Sequence, residues 1–216
     1  MSIGSSFRQS ASQGVITLQP SSSDLEGFKD FAALVPKAAA AAQRRAINKT
    51  LRWLRTHIAR AVGQKERIAI GVVRKRLRTY PVTGSAMRGK LWFGLNALDA
   101  ASIGRARQTR SGATVAGRHY QGAFFKKVYG DRPHIWIRAA SKHYDEENYG
   151  IDTSYRSGWI SENGGRFPLA KIKVSIEDAH SPFEEWVKRA DERLLEILKQ
   201  EFDYELQKHL KGTARV

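Results

Sequence analysis

Residues 36–64 read PKAAAAAQRRAINKTLRWLRTHIARAVGQ, and this stretch decides how the chain is organised. Its Ala-rich start favours helix, because alanine loses no side-chain entropy on entering one. Pro36 suits the first helical position, where its missing N–H costs nothing. Ile47, Leu51, Leu54, Ile58 and Val62 recur at steps of three and four, which is one apolar stripe. Arg45, Lys49, Arg52, Thr56 and Arg60 fall on the opposite side. The stretch carries seven Lys or Arg residues and no Asp or Glu. One helix therefore offers a seam for a core and a comb of positive charge. Gly63 is where it is expected to end or bend.

The charge runs on beyond the helix. Residues 37–79 hold thirteen basic residues against one acidic residue, Glu66, and residues 80–140 hold ten against two. The rest is nearly balanced, so the net charge of +16 sits in the middle of the 216-residue chain. An ordinary solvated surface mixes both signs. The one-signed middle predicts a polyanionic or acidic neighbour. Acidic residues of the last helix can pair with this region but are too few to neutralise it. A hydrophobic content of 41% argues for a folded protein. Without cysteine there is no disulfide framework and no thiolate metal site. No apolar run approaches the roughly 18 residues of a membrane span. The start, MSIGSSFRQSASQGV, lacks the apolar segment of a secretory signal.

Outward from the long helix, residues 1–13 read as a flexible Ser-rich arm and residues 14–19 as a short strand. Ser23 and Glu26 form a capping box for a helix over 24–33, burying Leu25, Phe28, Phe31 and Ala32. Residues 65–78, KERIAIGVVRKRLR, read as a second basic helix with Ile70, Val73 and Leu77 as its stripe, although Ile68, Ile70 and Val72 also fit a strand. Period two then takes over. Strands are expected at 90–98, 124–128, 135–137 and 169–176, with a mobile basic loop at 105–118 and a polar, Tyr-rich excursion at 141–165. Ser181-Pro182-Phe183-Glu184 starts a last helix to about Leu210, with Ser181 as its cap. Phe183, Val187, Ala190, Leu194, Leu198, Phe202, Leu206 and Leu210 form its stripe. The order predicts an α+β fold. One domain over 14–211 would pack long N-terminal and C-terminal amphipathic helices on one face of a small antiparallel sheet.

Chemistry is hard to find in this sequence. It has no G-x-S-x-G, no H-E-x-x-H and no phosphate loop. His134 reads as a strand histidine and His57 as a half-exposed helix residue. His143 precedes Asp145, Glu146 and Glu147, a thin case for a metal-dependent hydrolase, and the basic middle offers only Asp99 and Asp131 as carboxylates. No cofactor is expected, and the reading points away from an enzyme. Basic side chains without a base-reading motif suggest non-specific phosphate contact.

Several short motifs occur in a telling order. Val35-Pro36-Lys37-Ala38-Ala39-Ala40 with Ala46-Ile47-Asn48-Lys49 is followed by Val73-Arg74-Lys75-Arg76-Leu77, by Gly122-Ala123-Phe124 with a later Arg138, and by Phe167-Pro168-Leu169 with Ile172-Lys173-Val174. Over roughly residues 14–210 this set resembles the minor tail protein Z, or tail completion, family of long-tailed bacteriophages. The excursion at 141–165 and the arm before residue 14 depart from the family pattern. The resemblance implies a non-enzymatic virion part at the head-proximal end of the tail, assembled in the host cytoplasm. It implies a homo-oligomeric ring, with a hexamer favoured, around the channel through which DNA passes. Expected partners are tail terminator, tail tube or neck proteins, the tape measure protein, and phage DNA, with no membrane. The basic residues expected to face DNA or an acidic partner are Arg45, Lys49, Arg52 and Arg60 on the long helix, Arg74, Lys75 and Arg78 after it, and Arg105, Arg107 and Arg110 in the loop. Trp53, Tyr144, Tyr149, Tyr155 and Trp159 are expected at subunit or partner contacts. The alternative is a free, non-specific nucleic-acid-binding protein acting through the basic helices. Reversing Arg45, Lys49, Arg52 and Arg60 to Glu is expected to leave a folded protein without infectivity.

Overall fold

A computed structural model describes residues 14–21, 25–128, 130–145 and 169–212. The expectations for the arm at 1–13, for Ser23 and for residues 146–165 lie outside them. The fold is mixed α+β. The chain divides into two compact units. The first gathers the chain up to Val62, Val73–Gly94 and everything from Ala179 onward; the second comprises Gly63–Val72 and Leu95–Asp178.

In the first unit, strand β1 (Val15–Leu18) leads to a 3-10 turn at Glu26–Phe28 and a short helix α1 (Lys29–Leu34). The long helix α2 (Pro36–Lys65) carries the quoted stretch, and all five of its stripe residues are buried. Helix α3 (Ile70–Arg76) stops where β2 (Leu77–Tyr80) begins, so the helix expected through Arg78 is cut short. Leu77 to Tyr80 pair antiparallel with β3 (Gly89–Phe93), and that ladder overrides the local helical pattern. β1 pairs on the other edge, giving the order β1-β3-β2. Gly89 is a close-approach glycine: a Cβ there would lie 2.7 Å from Ile47 Cγ2 and 2.8 Å from Leu51 Cδ1. Asn48 of α2 accepts a hydrogen bond from the Val82 N–H at 2.9 Å.

The expected last helix is two helices, α4 (His180–Lys188) and α5 (Ala190–Leu210), separated at Arg189. Ser181 does not cap it. The preceding residue, Ala179, provides no side-chain cap, and Ser181 lies inside the helix. The stripe is buried from Phe183 through Phe202, whereas Leu206 and Leu210 are exposed. Phe202 stacks on Phe28 at 4.2 Å, and Phe31 meets it edge-on at 6.1 Å. Phe183 packs against Phe93 at 5.5 Å.

α2 runs two residues past Gly63, to Lys65. The Ile68 N–H bonds the Gly63 carbonyl at 3.0 Å and the Arg67 N–H bonds that of Gln64 at 3.4 Å, a Schellman closure. Its left-handed position falls on Arg67, at φ 50°, where a glycine is usual.

The second unit is mostly strand. β4 (Leu98–Asp99) pairs with β11 (Lys173–Val174), and β8 (Phe124–Lys126), β9 (His134–Arg138) and β10 (Leu169–Lys171) form an antiparallel sheet in the order β10-β9-β8. The strand expected at 90–98 ends at Phe93, and that expected at 169–176 is split. Ile172 donates to the Ile135 carbonyl at 3.0 Å and accepts from the Ala100 N–H at 2.9 Å, so the chain changes partners there.

The expected mobile loop at 105–118 contains ladder instead. β5 (Arg107–Gln108), β6 (Gly112–Val115) and β7 (Arg118–Gln121) form a meander. Its buried residues are Gly112, Ala113 and Val115, too small to announce a strand by large apolar alternation. The β6–β7 turn is Ala116-Gly117, with φ 49° and 76°. Positive φ at both positions is the hairpin turn normally signalled by Asn-Gly or Asp-Gly.

Candidate polyanion interface

The comb on α2 is divided by its own chain. Arg45 donates through Nε to Glu201 at 2.5 Å and through Nη2 to Glu205 at 2.5 Å, and Lys49 donates to Glu201 as well. Glu201 and Glu205 are four residues apart on α5, matching the four-residue step from Arg45 to Lys49. Their side chains are only 7% and 5% exposed, whereas Arg45 and Lys49 are 37% and 53% exposed. Burial pushes the Glu201 carboxyl up. The hydrogen bonds from Lys49 and Arg45 outweigh it and hold the group below its ordinary value. Arg45 and Lys49, expected to face DNA, are thus engaged inside the first unit.

The other half of the comb remains in solvent. Arg52 is exposed, its Nε donating back to the Asn48 carbonyl at 3.2 Å. Arg60, Arg74, Lys75 and Arg78 are exposed too, and none of the five pairs with a carboxylate among the described residues. Arg55 ties α2 to α3, its guanidinium donating to the Arg74 carbonyl at 3.1 Å. In the second unit, Arg105, Arg107 and Arg110 are exposed on and beside β5.

Trp53 packs within its own unit. It lies 4.8 Å from the His57 ring and 5.3 Å, edge-on, from Trp186, and Arg193 stands over it at 5.9 Å. His57 stacks on Trp186 at 4.5 Å. Burial, then the charges of Arg60, Arg193 and Arg189, hold His57 below the ordinary imidazole value. Tyr144 is half-buried, and Tyr149, Tyr155 and Trp159 lie outside the described residues.

The histidines find ordinary neighbours. His134 pairs with Asp99. The carboxylate can only accept, so Nδ1 carries the proton, and Asp99 also caps the Ala101 N–H at 2.9 Å. His143 sits with Ser141 beside Gly122, while Glu146 and Glu147 lie outside the described residues. Among the described residues no three metal-ligating side chains converge, and no helix is long and apolar enough to cross a membrane.

One further surface lies on the sheet, where only Arg78 was expected to meet a partner. Strand alternation sends Arg78 and Tyr80 of β2 and Lys90 and Trp92 of β3 to the outer face of the first unit's sheet, all four exposed. With Val15 and Arg88 they line an open groove of about 690 Å³ that contains no carboxylate among the described residues. The period-two alternation of KLWF was the available signal.

Comparison of the chain with known protein families, curated proteins and solved structures finds no match.

Proposed function

We propose that the chain is a structural virion protein that completes the head-proximal end of a phage tail and helps form the junction through which DNA passes. The observation that carries this reading is the set of exposed cations Arg52, Arg60, Arg74, Lys75 and Arg78 in the first unit, which pair with no carboxylate among the described residues. Arg105, Arg107 and Arg110 extend it in the second. It joins the ordered tail-completion motifs of the sequence. The long helices also suit the proposed arrangement over one face of the first unit's sheet: Gly89 of β3 abuts Ile47 and Leu51 of α2, and Phe93 abuts Phe183 of α4. In a homo-oligomeric ring, a hexamer in the favoured form, the subunits would add their positive charge around the channel. The surface would meet DNA or the acidic face of a tail terminator, tube, neck or tape measure protein.

The test uses Arg52→Gln, Arg60→Gln, Arg74→Gln and Lys75→Gln together, leaving Arg45 and Lys49 intact. The variant is expected to fold with an unchanged melting temperature and to yield tails or particles without infectivity. Normal infectivity from that variant would overturn the role of the exposed cations.

A further inference from the structure

The outer face of the β1-β3-β2 sheet has the parts of a single-stranded nucleic-acid platform. Trp92 sits on the central strand, with Val15 opposite on one side and Arg78 opposite on the other. Tyr80 stands opposite Lys90. Trp92 and Tyr80 are therefore diagonal neighbours, roughly 7–8 Å apart at the backbone. That is close to the stride of an extended nucleotide strand. They are 38% and 51% exposed, unusual for a Trp and a Tyr with ladder partners on both sides or beside them. Trp92 leans over Gly94, where an added Cβ would come within 2.7 Å of the indole, so the ring lies across the backbone.

Cations alternate with these rings. Arg78, Lys90 and Arg88 line the same groove, and Arg88 is steadied by Gln19 at 3.1 Å. Among the described residues no carboxylate lines the groove, so the charges that do line it make the field over both rings positive. An aliphatic partner would have no use for three cations. A rigid duplex holds its bases stacked inside and would have no use for two exposed rings. Phosphates with unstacked bases use both features, because every base has a π-face and the backbone supplies the charge.

We infer that this face binds an unpaired DNA or RNA strand, with bases stacked on Trp92 and Tyr80 and phosphates held by Arg78, Arg88 and Lys90, without base-specific readout. The inference does not depend on the tail reading: the two share only Arg78, which the test of that reading leaves intact.

The full-length protein is titrated by fluorescence anisotropy with a labelled oligothymidine of about twelve nucleotides, within the usual site size of such platforms. Binding is expected to fall by about tenfold or more in the Trp92→Ala, Tyr80→Ala double variant. Trp92→Phe should retain most of it with little change in melting, which controls for the apolar contact that the partly covered Trp92 ring loses on truncation. Each of Arg78→Gln and Lys90→Gln should flatten the salt dependence by about 0.7 in the log–log slope. A double variant that binds the oligonucleotide as well as the parent would overturn the inference. So would Trp92-dependent binding of an oligoglutamate peptide in place of the strand, which would make the occupant an acidic protein. Self-association that disappears on removing the two rings would assign the face to a second copy and overturn it equally.

Discussion

The ion-pair cluster between α2 and α5 makes a directional prediction, because its two signs are unequally buried. Glu201 and Glu205 are almost completely enclosed, while Arg45 and Lys49 reach water. Removing the Glu201 charge lets Lys49 hydrate where it stands and leaves Arg45 still held by Glu205. Removing the guanidinium leaves Glu201 to Lys49 and Glu205 to the more distant Lys208 ammonium at 3.9 Å, with both carboxylates still enclosed. Glu201→Gln should therefore cost about 1 kcal/mol, since the amide oxygen still accepts and only the charge assistance is lost. Arg45→Met should cost about 3 kcal/mol, the low end for stranding a buried charge, because the third-exposed guanidinium leaves a space that water can enter.

The pH dependence checks the cause. In the native protein the folded-state pKa of Glu201 is depressed. Its contribution is full above the ordinary carboxylate value, about 4.3, and fades as pH falls through the lower folded value. In Arg45→Met one of the two hydrogen bonds that lower Glu201 is gone while its burial remains, so the folded value rises and protonation offsets more of the damage. The difference between variant and parent should shrink as pH falls from 7 to about 4.5. Urea unfolding at both pH values measures it. If Glu201→Gln is as costly as Arg45→Met, or if the cost of Arg45→Met is the same at both pH values, the burial argument is wrong. The same reasoning overturns the expectation that reversing Arg45 and Lys49 to Glu spares the fold. That change places four carboxylates in one enclosed site, and its particles would fail for want of a folded subunit.

Two further outcomes follow from local structure. His57 is held below its ordinary value by burial and by Arg60, Arg193 and Arg189, so its contribution is full above about pH 6.5 and is lost as pH falls toward the folded value. Thermal melting from pH 7 to 5 should show that loss, and His57→Gln should flatten it; an unchanged slope would refute the assignment. Arg67→Gly should raise stability by about 1 kcal/mol, because Arg67 fills the left-handed position of the closure after α2; a lower urea midpoint would refute it.

What was legible in the sequence was whatever large apolar residues repeat. Ile47, Leu51, Leu54, Ile58 and Val62 advertise α2, and Phe183 through Phe202 advertise the C-terminal helices, because each set faces a core that needs bulk. The β5-β6-β7 meander was illegible for the opposite reason. Gly112 passes so close to β7 that a Cβ would lie 2.0 Å from the Tyr120 carbonyl oxygen, so the strand requires small residues and displays none of the usual alternation. Its turn is Ala-Gly rather than Asn-Gly. The partner change at Ile172 was invisible because Lys171, Ile172 and Lys173 alternate correctly for either neighbour.

The candidate site was half legible, and the missing half changes what the net charge means. Counting signs along the chain finds the excess of cations but not which of them are answered. Glu201 and Glu205 look like ordinary solvated residues of a mixed-charge helix, yet they flank buried Phe202 and turn toward α2. The matched four-residue steps, Arg45 to Lys49 and Glu201 to Glu205, were the one trace of this in the sequence. Once those two cations are accounted for, the unanswered charge of the first unit lies on Arg52 and Arg60, on α3, and on the strand face carrying Arg78 and Lys90. Aromatic rings stand beside only the last of these in the open. A duplex, whose bases are hidden, would draw on the helix cations alone, and an unpaired strand would draw on the sheet face. The two surfaces therefore predict different ligands, and charge-removing substitutions on one should leave the other's binding intact.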